Sequence, residues 1–568
     1  MAGIMRDGRK FFVSWLLAVA LLAPLPASYA QTAARESARR VTIPAAARES
    51  AEQITAKQLK DYLYFVASDE MEGRDTPSRG LNTVAKFIAM NLSRWGLKPA
   101  GDDGTYFQKI ILRRGKLDPA RTQAEISGRK FTLGEDFYAA LNTGTASGQL
   151  VYVGHGWVIK NKNIDAYRGV NIKGKIVVFY GGGLPKGASL TDLTGNQGTD
   201  WDTPSEYAWK HGAKGAIIIP DSRVLTTLSG RRQIMLEQRG PFSVANSAQA
   251  EAQAPPGMPI ITASVGMVRT LFQGEKVDGA AILKGRELGD AGDSFELSPI
   301  KRASFTVANT YDETETQNVL GIVEGSDPLL KNEYVAIGAH YDHVGVRGAA
   351  SVGDKIYNGA DDDGSGTVAL LAMAEALSHA DRPPKRSVLF IWHTGEEKGL
   401  WGSQYFTEKP TVPLASIITE LNIDMIGRSK PPGDASPANR ALSGPDEIYV
   451  IGSKMMSTEL GQLSEAVNSS YLNLSFNYLY DNPNDPNRFF FRSDHFNYAR
   501  KGIPIIFYFD GEHEDYHKPG DSPDKIDYQK MEKVARTIYV TMLELANAKT
   551  RPRVDKPLSP EVIKNSGF

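Results

Sequence analysis

Short apolar runs recur between residues 300 and 548, and each of them stops at a cluster of polar residues. The runs are EYVAIGAH, RSVLFIWHTGEE, IITELNIDMIG and GIPIIFYFDGEH, with segments of helical spacing between them. Strands buried on both faces have this pattern, and a β/α alternation predicts a mixed, largely parallel sheet covered by helices. The last helix presents one apolar face, formed by Met531, Val534, Ala535, Ile538, Met542 and Leu545.

The regions before residue 300 have two other patterns. Residues 54–96 carry apolar side chains at helical spacing on both sides of a Gly/Pro break, which predicts two helices. From about residue 120 to 300 the short runs QLVYVGHG, KGKIVVFYGGG, GAKGAIIIP and MPIITAS predict strands, and EYAWKHGAKG predicts a helix that ends at a glycine. We therefore expect a β-rich module in this region.

The chain has 568 residues, which is more than one core usually holds, since domains have roughly 100 to 200 residues. The patterns predict two or three modules. The expected segments are a signal peptide (1–30), an N-terminal helical segment (31–119), the β-rich module (120–300), the region of alternating strands and helices (301–550) and a C-terminal tail (551–568).

The N-terminus has the features of a secretory signal peptide. Arg6, Arg9 and Lys10 precede the apolar run FFVSWLLAVALLAPLPA, and small residues end the segment before Gln31. The alternative is a membrane anchor, but the run is shorter than the roughly 20 residues of a spanning helix and contains two prolines. We expect export to the periplasm or the medium, without membrane attachment after cleavage.

The composition narrows the possible partners and ligands. A formal net charge of -1, with 23% charged and 41% hydrophobic residues, is that of an ordinary globular protein and does not indicate nucleic-acid binding. The chain has no cysteine, so disulfide bonds are excluded. A metal site would have to be built from His, Asp and Glu.

The segment HEDYH, which starts at His513, matches the H-E-x-x-H pattern of many metalloproteases. That pattern needs a helix to bring its two histidines to one face. Here a strand precedes it and Pro519, Gly520 and Pro523 follow it, which leaves no room for a helix. We expect the match to be a coincidence of composition, although His517 can still be a ligand without His513.

Candidate metal ligands fall at or just after the ends of the predicted strands. In open α/β sheets, ligands bind beyond the carboxyl ends of the strands, so these side chains are expected to meet. They are His340, Glu396, Glu397, Asp424 and His517.

The motifs around these residues add further oxygen atoms. GAHYDHVG places Asp342 two residues after His340, where its carboxylate can accept the second imidazole N–H. NGADDDGSGT places three aspartates before a helical run, so that the turn aims one of them at the site. HTGEEKG offers two adjacent glutamates, of which one can face a metal while its neighbour acts as a base. Asp424 is an acid in the apolar run NIDMIG, which is costly to bury without a partner such as a metal.

Five motifs together resemble the co-catalytic two-zinc exopeptidases of clan MH, the group of bacterial leucyl aminopeptidases and glutamate carboxypeptidase, with glutaminyl cyclase as a relative. The motifs are GAHYDHVG, NGADDDGSG, HTGEEKGLWGS, NIDMIG and YHKPGD. EMEGRDTPSRG and GLKPAGDDGTYFQ resemble the start of that family's catalytic domain. Residues 120–300 resemble the protease-associated (PA) domain that is often inserted there. The resemblance implies a zinc-exopeptidase fold of the phosphorylase/hydrolase-like type.

The resemblance also implies roles for individual residues. Its zinc ligands are His340 and Asp424 for one ion, Glu397 and His517 for the other, and Asp362 as the bridge. Glu396 becomes the general base that takes a proton from a water activated by two zinc ions. Tyr516 is implied to hold the substrate or its oxyanion.

The implied function is an exported zinc exopeptidase that acts on peptides, with an aminopeptidase favoured over a carboxypeptidase. A glutaminyl cyclase and a catalytically inactive, receptor-like binding protein are the alternatives from other classes. Side-chain preference and oligomeric state stay open. The segment RSDH resembles one near the family's pocket. Among the remaining histidines, His155, His211 and His379 are expected at structural or surface positions, and His343, His393, His495 and His513 as second-shell or packing groups.

Overall fold

A computed structural model describes residues 40–181, 183–221, 236–237, 239–245, 258–288, 292–348 and 353–564. The predicted signal peptide, residues 1–30, lies outside these residues. Over the part of the chain that is described, no helix has both the length and the apolar character that a membrane crossing requires.

The largest of the four sheets in the described residues has ten strands and is the frame of the main domain. Lys98–Pro99 pairs with one of its strands beside the main path. Along that path the strands are, from edge to edge, Ser243–Val244, Phe107–Leu117, Asn309–Val323, Ser387–His393, Tyr334–His340, Ile417–Ile423, Ile505–Phe509, Glu447–Ile451 and Ser475–Asn477.

Parallel pairing joins the four strands at the centre of this sheet, which are Ser387–His393, Tyr334–His340, Ile417–Ile423 and Ile505–Phe509. The strands that flank this group on both sides run antiparallel to it. The predicted mixed sheet is confirmed, with its parallel part at the centre. Because the four central strands are parallel, their carboxyl ends lie at one edge.

Helices cover both faces of the ten-stranded sheet. Along Tyr334–His340, Val335 and Ile337 belong to one apolar core, and Ala336 belongs to the core on the opposite face. The two predicted N-terminal helices are confirmed, and so is the closing helix, whose six predicted apolar positions are all buried. The first face carries Ala45–Glu52, Ala56–Val66, Arg79–Arg94, Gly366–Ser378, Thr458–Ser470 and Tyr528–Asn547, and the second carries Trp401–Glu408 and His495–Ala499.

The second sheet has nine strands and confirms the predicted β-rich character of the region before residue 300. Two apolar cores of its own lie on its faces. The predicted helix is present as Pro204–Lys210, followed by the left-handed Gly212. The strands on the main path are, in spatial order, Arg129–Phe131, Gln123–Ile126, Arg302–Val307, Gly144–Tyr152, Ile176–Tyr180, Gly215–Ile219, Ile260–Ala263 and Phe137–Ala139.

The β-rich region also contributes a strand to the main sheet. Ser243–Val244 pairs antiparallel with Arg113 and Leu112 at the sheet edge. Val244 and Leu112 lie in a small apolar cluster with Trp401, which begins the helix after the two adjacent glutamates. The sequence did not indicate this strand, because two residues carry no periodicity.

Arg74 ties the N-terminal segment to two loops at the carboxyl edge of the main sheet. Its side chain is completely buried and donates four hydrogen bonds to backbone carbonyls. Nε donates to Tyr341 (2.9 Å), Nη1 to Val66 (3.0 Å) and Asn358 (2.6 Å), and Nη2 to Gly359 (2.8 Å). Among the described residues, no carboxylate lies within ion-pair distance of this guanidinium. The planar guanidinium group therefore fixes backbone positions in three separate segments of the chain.

Gly80 allows the helix Arg79–Arg94 to pack closely on the turn that carries Arg74. A Cβ atom at this position would stand 1.7 Å from the carbonyl oxygen of Met71. Ser78 caps the helix by accepting a hydrogen bond from the Leu81 N–H at 3.1 Å. A glycine is thus required at this position, because any Cβ atom would collide with backbone, which cannot rotate away as a side chain can.

The substitution Gly80→Ala should destabilise the fold by at least about 1–3 kcal/mol, because the new methyl group displaces backbone. Gly266 is the matched control: it too is the second residue of a helix capped by a serine, and its nearest neighbour is 3.7 Å away. Gly266→Ala should be neutral or stabilising by up to about 1 kcal/mol. Urea unfolding followed by circular dichroism measures both. Equal midpoints for the two variants would contradict the close approach.

The substitution Arg74→Met should lower the free energy of unfolding by at least about 3 kcal/mol, because four buried carbonyls lose their donor. Arg74→Lys, with one ammonium in place of the guanidinium group, should lie between this variant and the wild type. Arg79→Met is the control, since Arg79 is exposed and pairs only with the exposed Glu72; it should change stability by less than about 1 kcal/mol. If Arg74→Met is as stable as Arg79→Met in urea, the assigned role is wrong.

Candidate metal centre

The carboxyl edge of the main sheet brings the predicted ligands together. His340 is the last residue of one central strand, Asp424 follows the next, and Glu396 and Glu397 form a turn after a third. His517 lies in a turn beyond the fourth central strand, Ile505–Phe509. Asp362 lies in the turn before the helix Gly366–Ser378. Their side chains form two groups of possible metal-binding atoms.

The first group surrounds Nε2 of His340. This nitrogen is 3.3 Å from Asp362 Oδ1, 3.6 Å from Asp424 Oδ1 and 3.9 Å from Glu396 Oε2. His340 and Asp362 are buried, and the Glu396 side chain keeps 12% of its surface exposed. The Asp424 side chain keeps 11% exposed, so the group opens toward solvent on the side of Glu396 and Asp424.

The second group surrounds two carboxylate oxygens. Nε2 of His517 is 3.0 Å from Asp362 Oδ2 and 3.1 Å from Glu397 Oε1. His343, which we expected to be a second-shell or packing residue, points Nδ1 at the same oxygens, at 2.8 Å from Glu397 Oε1 and 3.8 Å from Asp362 Oδ2. Asp362 thus presents one oxygen to each group.

The neighbours of Asp362 face elsewhere. Asp361 accepts a hydrogen bond from the Gly427 N–H at 2.7 Å and lies 3.3 Å from Nε2 of His513. Asp363 accepts from the backbone N–H groups of Gly366 (2.8 Å) and His340 (3.1 Å). Both carboxylates therefore brace the backbone, while the carboxylate of Asp362 points between the two groups.

Asp342 links the two strand ends that carry His340 and Glu396. The atom nearest to Nδ1 of His340 is the backbone carbonyl oxygen of Asp342, at 3.2 Å, and the carboxylate is 3.7 Å away. That carboxylate accepts a hydrogen bond from the Glu396 N–H at 3.1 Å. Asp342 therefore orients the histidine through its backbone and the glutamate turn through its side chain.

Burial and the charges of neighbouring side chains together set the electrostatics of the centre. It raises the pKa of Glu396 well above its usual value, and the carboxylates of Glu397 and Asp424 raise it further. For His340, burial lowers the pKa, but the charges of Asp424 and Glu396 outweigh it, and the pKa lies well above normal. The carboxylates attract positive charge strongly.

The residues present fit zinc. Asp362 Oδ2, Glu397 Oε1 and both ring nitrogens of His343 are buried atoms without a hydrogen bond of normal geometry. Such atoms are costly unless an ion pairs with them. Imidazole nitrogens and carboxylate oxygens are donors that zinc accepts in proteins.

The H-E-x-x-H segment is a turn, as predicted, and not a helix. Its His513 is not part of either donor group and contacts Asp361 instead. Tyr516 stacks on the ring of His517 with centroids 4.0 Å apart, and its hydroxyl lies 3.3 Å from Arg492. Arg492 belongs to the predicted RSDH segment, which therefore does lie beside the centre.

A cleft opens over the first group. Its wall combines apolar and charged side chains, and Arg492 pairs with Glu512 across it at 2.7 Å. Sequence reasoning did not single out Glu512, which follows the strand end in FDGEH. The lining residues are Asp362, Glu396, Asp424, Met425, Phe489, Arg492, Phe507, Phe509, Glu512 and Tyr516.

Comparison with known proteins gives related sequences. A leupeptin-inactivating enzyme of Streptomyces exfoliatus is 31% identical over 193 residues, which are 33% of this chain and 40% of that protein. Leucine aminopeptidase 2 of Trichophyton equinum is 25% identical over 295 residues, which are 46% of this chain and 52% of that protein. The chain thus spans about half or less of the length of these relatives.

Solved structures with a related arrangement include two bacterial aminopeptidases. One, from Aneurinibacillus sp. strain AM-1, aligns over 90% of this chain and 98% of its own with 17% identity and a TM-score of 0.43. BSAP, a zinc aminopeptidase from Bacillus subtilis, aligns over 91% and 99% with 17% identity and a TM-score of 0.44.

The family model described as peptidase family M28 matches residues 318–542. This segment contains both donor groups and the four central strands of the main sheet. Residues 318–542 of this chain belong to peptidase family M28.

Proposed function

We propose that this protein is an exported, zinc-dependent aminopeptidase that removes N-terminal residues from peptides and holds two zinc ions per chain. The observation that carries the proposal is the pair of donor groups that share Asp362. His340 and Asp424 are proposed as ligands of one ion, Glu397 and His517 as ligands of the other, and Asp362 as the bridge. Export rests on the predicted signal peptide, residues 1–30.

When bound, zinc supplies a Lewis acid that polarises the scissile carbonyl and lowers the pKa of water. Glu396 takes a proton from the attacking water at its carboxylate and delivers it to the leaving amine as the C–N bond breaks. Asp342 keeps the glutamate turn in place through its hydrogen bond to the Glu396 N–H.

The charges of the cleft favour a free α-ammonium group over a terminal carboxylate. Arg492 is the cation among the residues that line the cleft, and Glu512 already pairs with it. A carboxylate substrate would have to displace Glu512, whereas an ammonium group meets the acidic side chains of Glu396 and Asp424. This balance supports an aminopeptidase over the carboxypeptidase alternative. Relatives named as leucine aminopeptidases support the same choice.

We also propose that residues 120–300 form a PA domain inserted into a catalytic domain that comprises residues 31–119 and 301–550. The nine-stranded sheet and its two separate cores support a separate unit, and the strand Arg302–Val307 of that sheet extends the unit beyond residue 300. The strand Ser243–Val244 returns to the catalytic sheet, so the insert touches the domain it interrupts.

The substitution Glu396→Gln should retain both zinc ions and lower kcat about 10²–10⁴-fold, because the amide cannot accept the proton. Glu408→Gln is the control: Glu408 is an exposed residue of the helix Trp401–Glu408, and its variant should keep full activity. Metal content by inductively coupled plasma mass spectrometry and turnover of a leucyl anilide measure the two properties. Full activity of Glu396→Gln would remove this residue from the role of base.

The purified mature protein should remove residues from the N-termini of peptides, and a chelator should stop the reaction. Mass spectrometry of one peptide set in free, N-acetylated and C-amidated forms measures this directly. Acetylation should block cleavage, because it removes the ammonium group, and amidation should not.

The other outcomes each point to a different class. Cleavage that survives acetylation but stops on amidation would mean a carboxypeptidase. Cyclisation of N-terminal glutamine without cleavage would mean a glutaminyl cyclase. Zinc binding without any reaction would favour a receptor-like protein.

A further inference from the structure

His343 has the surroundings of a metal ligand that the family resemblance does not assign. It is completely buried, and its ring packs against Gly359 so closely that a Cβ atom there would stand 2.4 Å from its Cγ. Neither ring nitrogen makes a hydrogen bond of normal geometry within the described residues. The ring is therefore held in one orientation by packing, with Nδ1 directed at Glu397 Oε1, 2.8 Å away.

The orientation of His343 brings a fourth donor atom to the second group. Its Nδ1, Nε2 of His517, Asp362 Oδ2 and Glu397 Oε1 all lie within 4.8 Å of one another. Four of the separations are 2.8, 3.0, 3.1 and 3.8 Å. Ligand atoms on a tetrahedral zinc ion with bonds of roughly 2.0–2.2 Å stand about 3.3–3.6 Å apart. The observed separations lie on both sides of the edge length of such a tetrahedron.

Both imidazoles approach the same two carboxylate oxygens. Asp362 Oδ2 and Glu397 Oε1 are buried side by side, and no Lys or Arg side chain pairs with either in the described part of the chain. Two adjacent carboxylates repel each other unless a cation lies between them. A single ion at the centre of the four atoms satisfies both carboxylates and both histidines.

We infer that His343 is a protein ligand of zinc, so that His343, Asp362, Glu397 and His517 form a closed four-ligand site. This inference rests on the proposed zinc centre and extends it. The first group has only three proposed ligands, His340, Asp362 and Asp424, and faces the cleft beside Glu396. Sites with four protein ligands are typical of structural zinc, and sites with three leave a position open for chemistry. The two ions therefore have different roles, and the closed site fills first.

X-ray absorption spectroscopy of the protein loaded with one equivalent of zinc tests this inference without any assay of activity. The wild type should show two imidazole ligands, and His343→Gln should show one. His513→Gln is the matched control, because His513 is also buried beside the centre but contacts Asp361; it should still show two. One imidazole in the wild type, or a count that His343→Gln leaves unchanged, would overturn the inference.

Competition with a chromophoric chelator provides a second measurement. Loss of a hydrogen bond to a ligand typically weakens metal binding about 10–100-fold, and loss of a ligand should exceed that range for the first zinc ion of His343→Gln. A smaller loss of zinc affinity would mean that His343 orients Glu397 and is not itself a ligand. A wild-type protein that binds no zinc would instead overturn the proposed function itself, so the two failures are distinguishable.

Discussion

The orientation of the Asp362 carboxylate is the constraint on which both donor groups depend, because each group uses one of its oxygens. The turn that carries it is held from two sides. The carboxylate of Asp521 accepts the backbone N–H groups of Asp361 and Asp362 at 3.0 and 3.1 Å, and Arg74 binds the carbonyl of Gly359. Asp521 belongs to YHKPGD, the segment that also carries His517. One loop thus carries His517, a proposed ligand, and fixes the turn of Asp362, the proposed bridge, so a shift of the loop would move both together.

The charges at the centre fit the two divalent ions that the proposed function requires. Glu396, Glu397, Asp362 and Asp424 provide up to four negative charges in a space that excludes most water. The guanidinium of Arg74, a nearby cation, donates its hydrogen bonds to backbone carbonyl oxygens and not to these carboxylates. Two divalent ions carry four positive charges, which balance the four carboxylates, while the histidines of both donor groups remain neutral ligands. Without these ions, the centre binds protons instead. The pKa values of Glu396 and His340 are raised for this reason.

The features that were predictable from the sequence are those with a local cause. Apolar runs identified the central strands, and the polar residues at their ends identified four of the proposed ligands and the proposed base, because parallel strands end at one edge. Asp362 lies in the turn before a helix, and only the family resemblance selected it among the three aspartates. The role of Arg74 was not predictable, since three of its four carbonyl partners are more than 250 residues away in sequence and no pattern marks them. His343 was visible as a residue type, but only the tertiary contact with Gly359 turns its ring toward Glu397. The need for a glycine at position 80 was not predictable either, because it comes from the carbonyl of Met71 in the preceding turn and not from the helix that contains Gly80.

The β-rich region is attached to the main sheet by packing as well as by the chain connections. Val244 of this region, which we propose as an insert, and Leu112 of the main sheet lie in one apolar cluster with Trp401. The Trp401 ring also fills the space beside Gly395, where a Cβ atom would stand 3.0 Å from it. Gly395 has a left-handed backbone and directly precedes Glu396, so its conformation sets the direction of the proposed base. A continuous line of contacts therefore runs from the insert through Trp401 to the glutamate turn. Because such close-packed contacts transmit displacement, the insert forms part of the wall that holds the base in position.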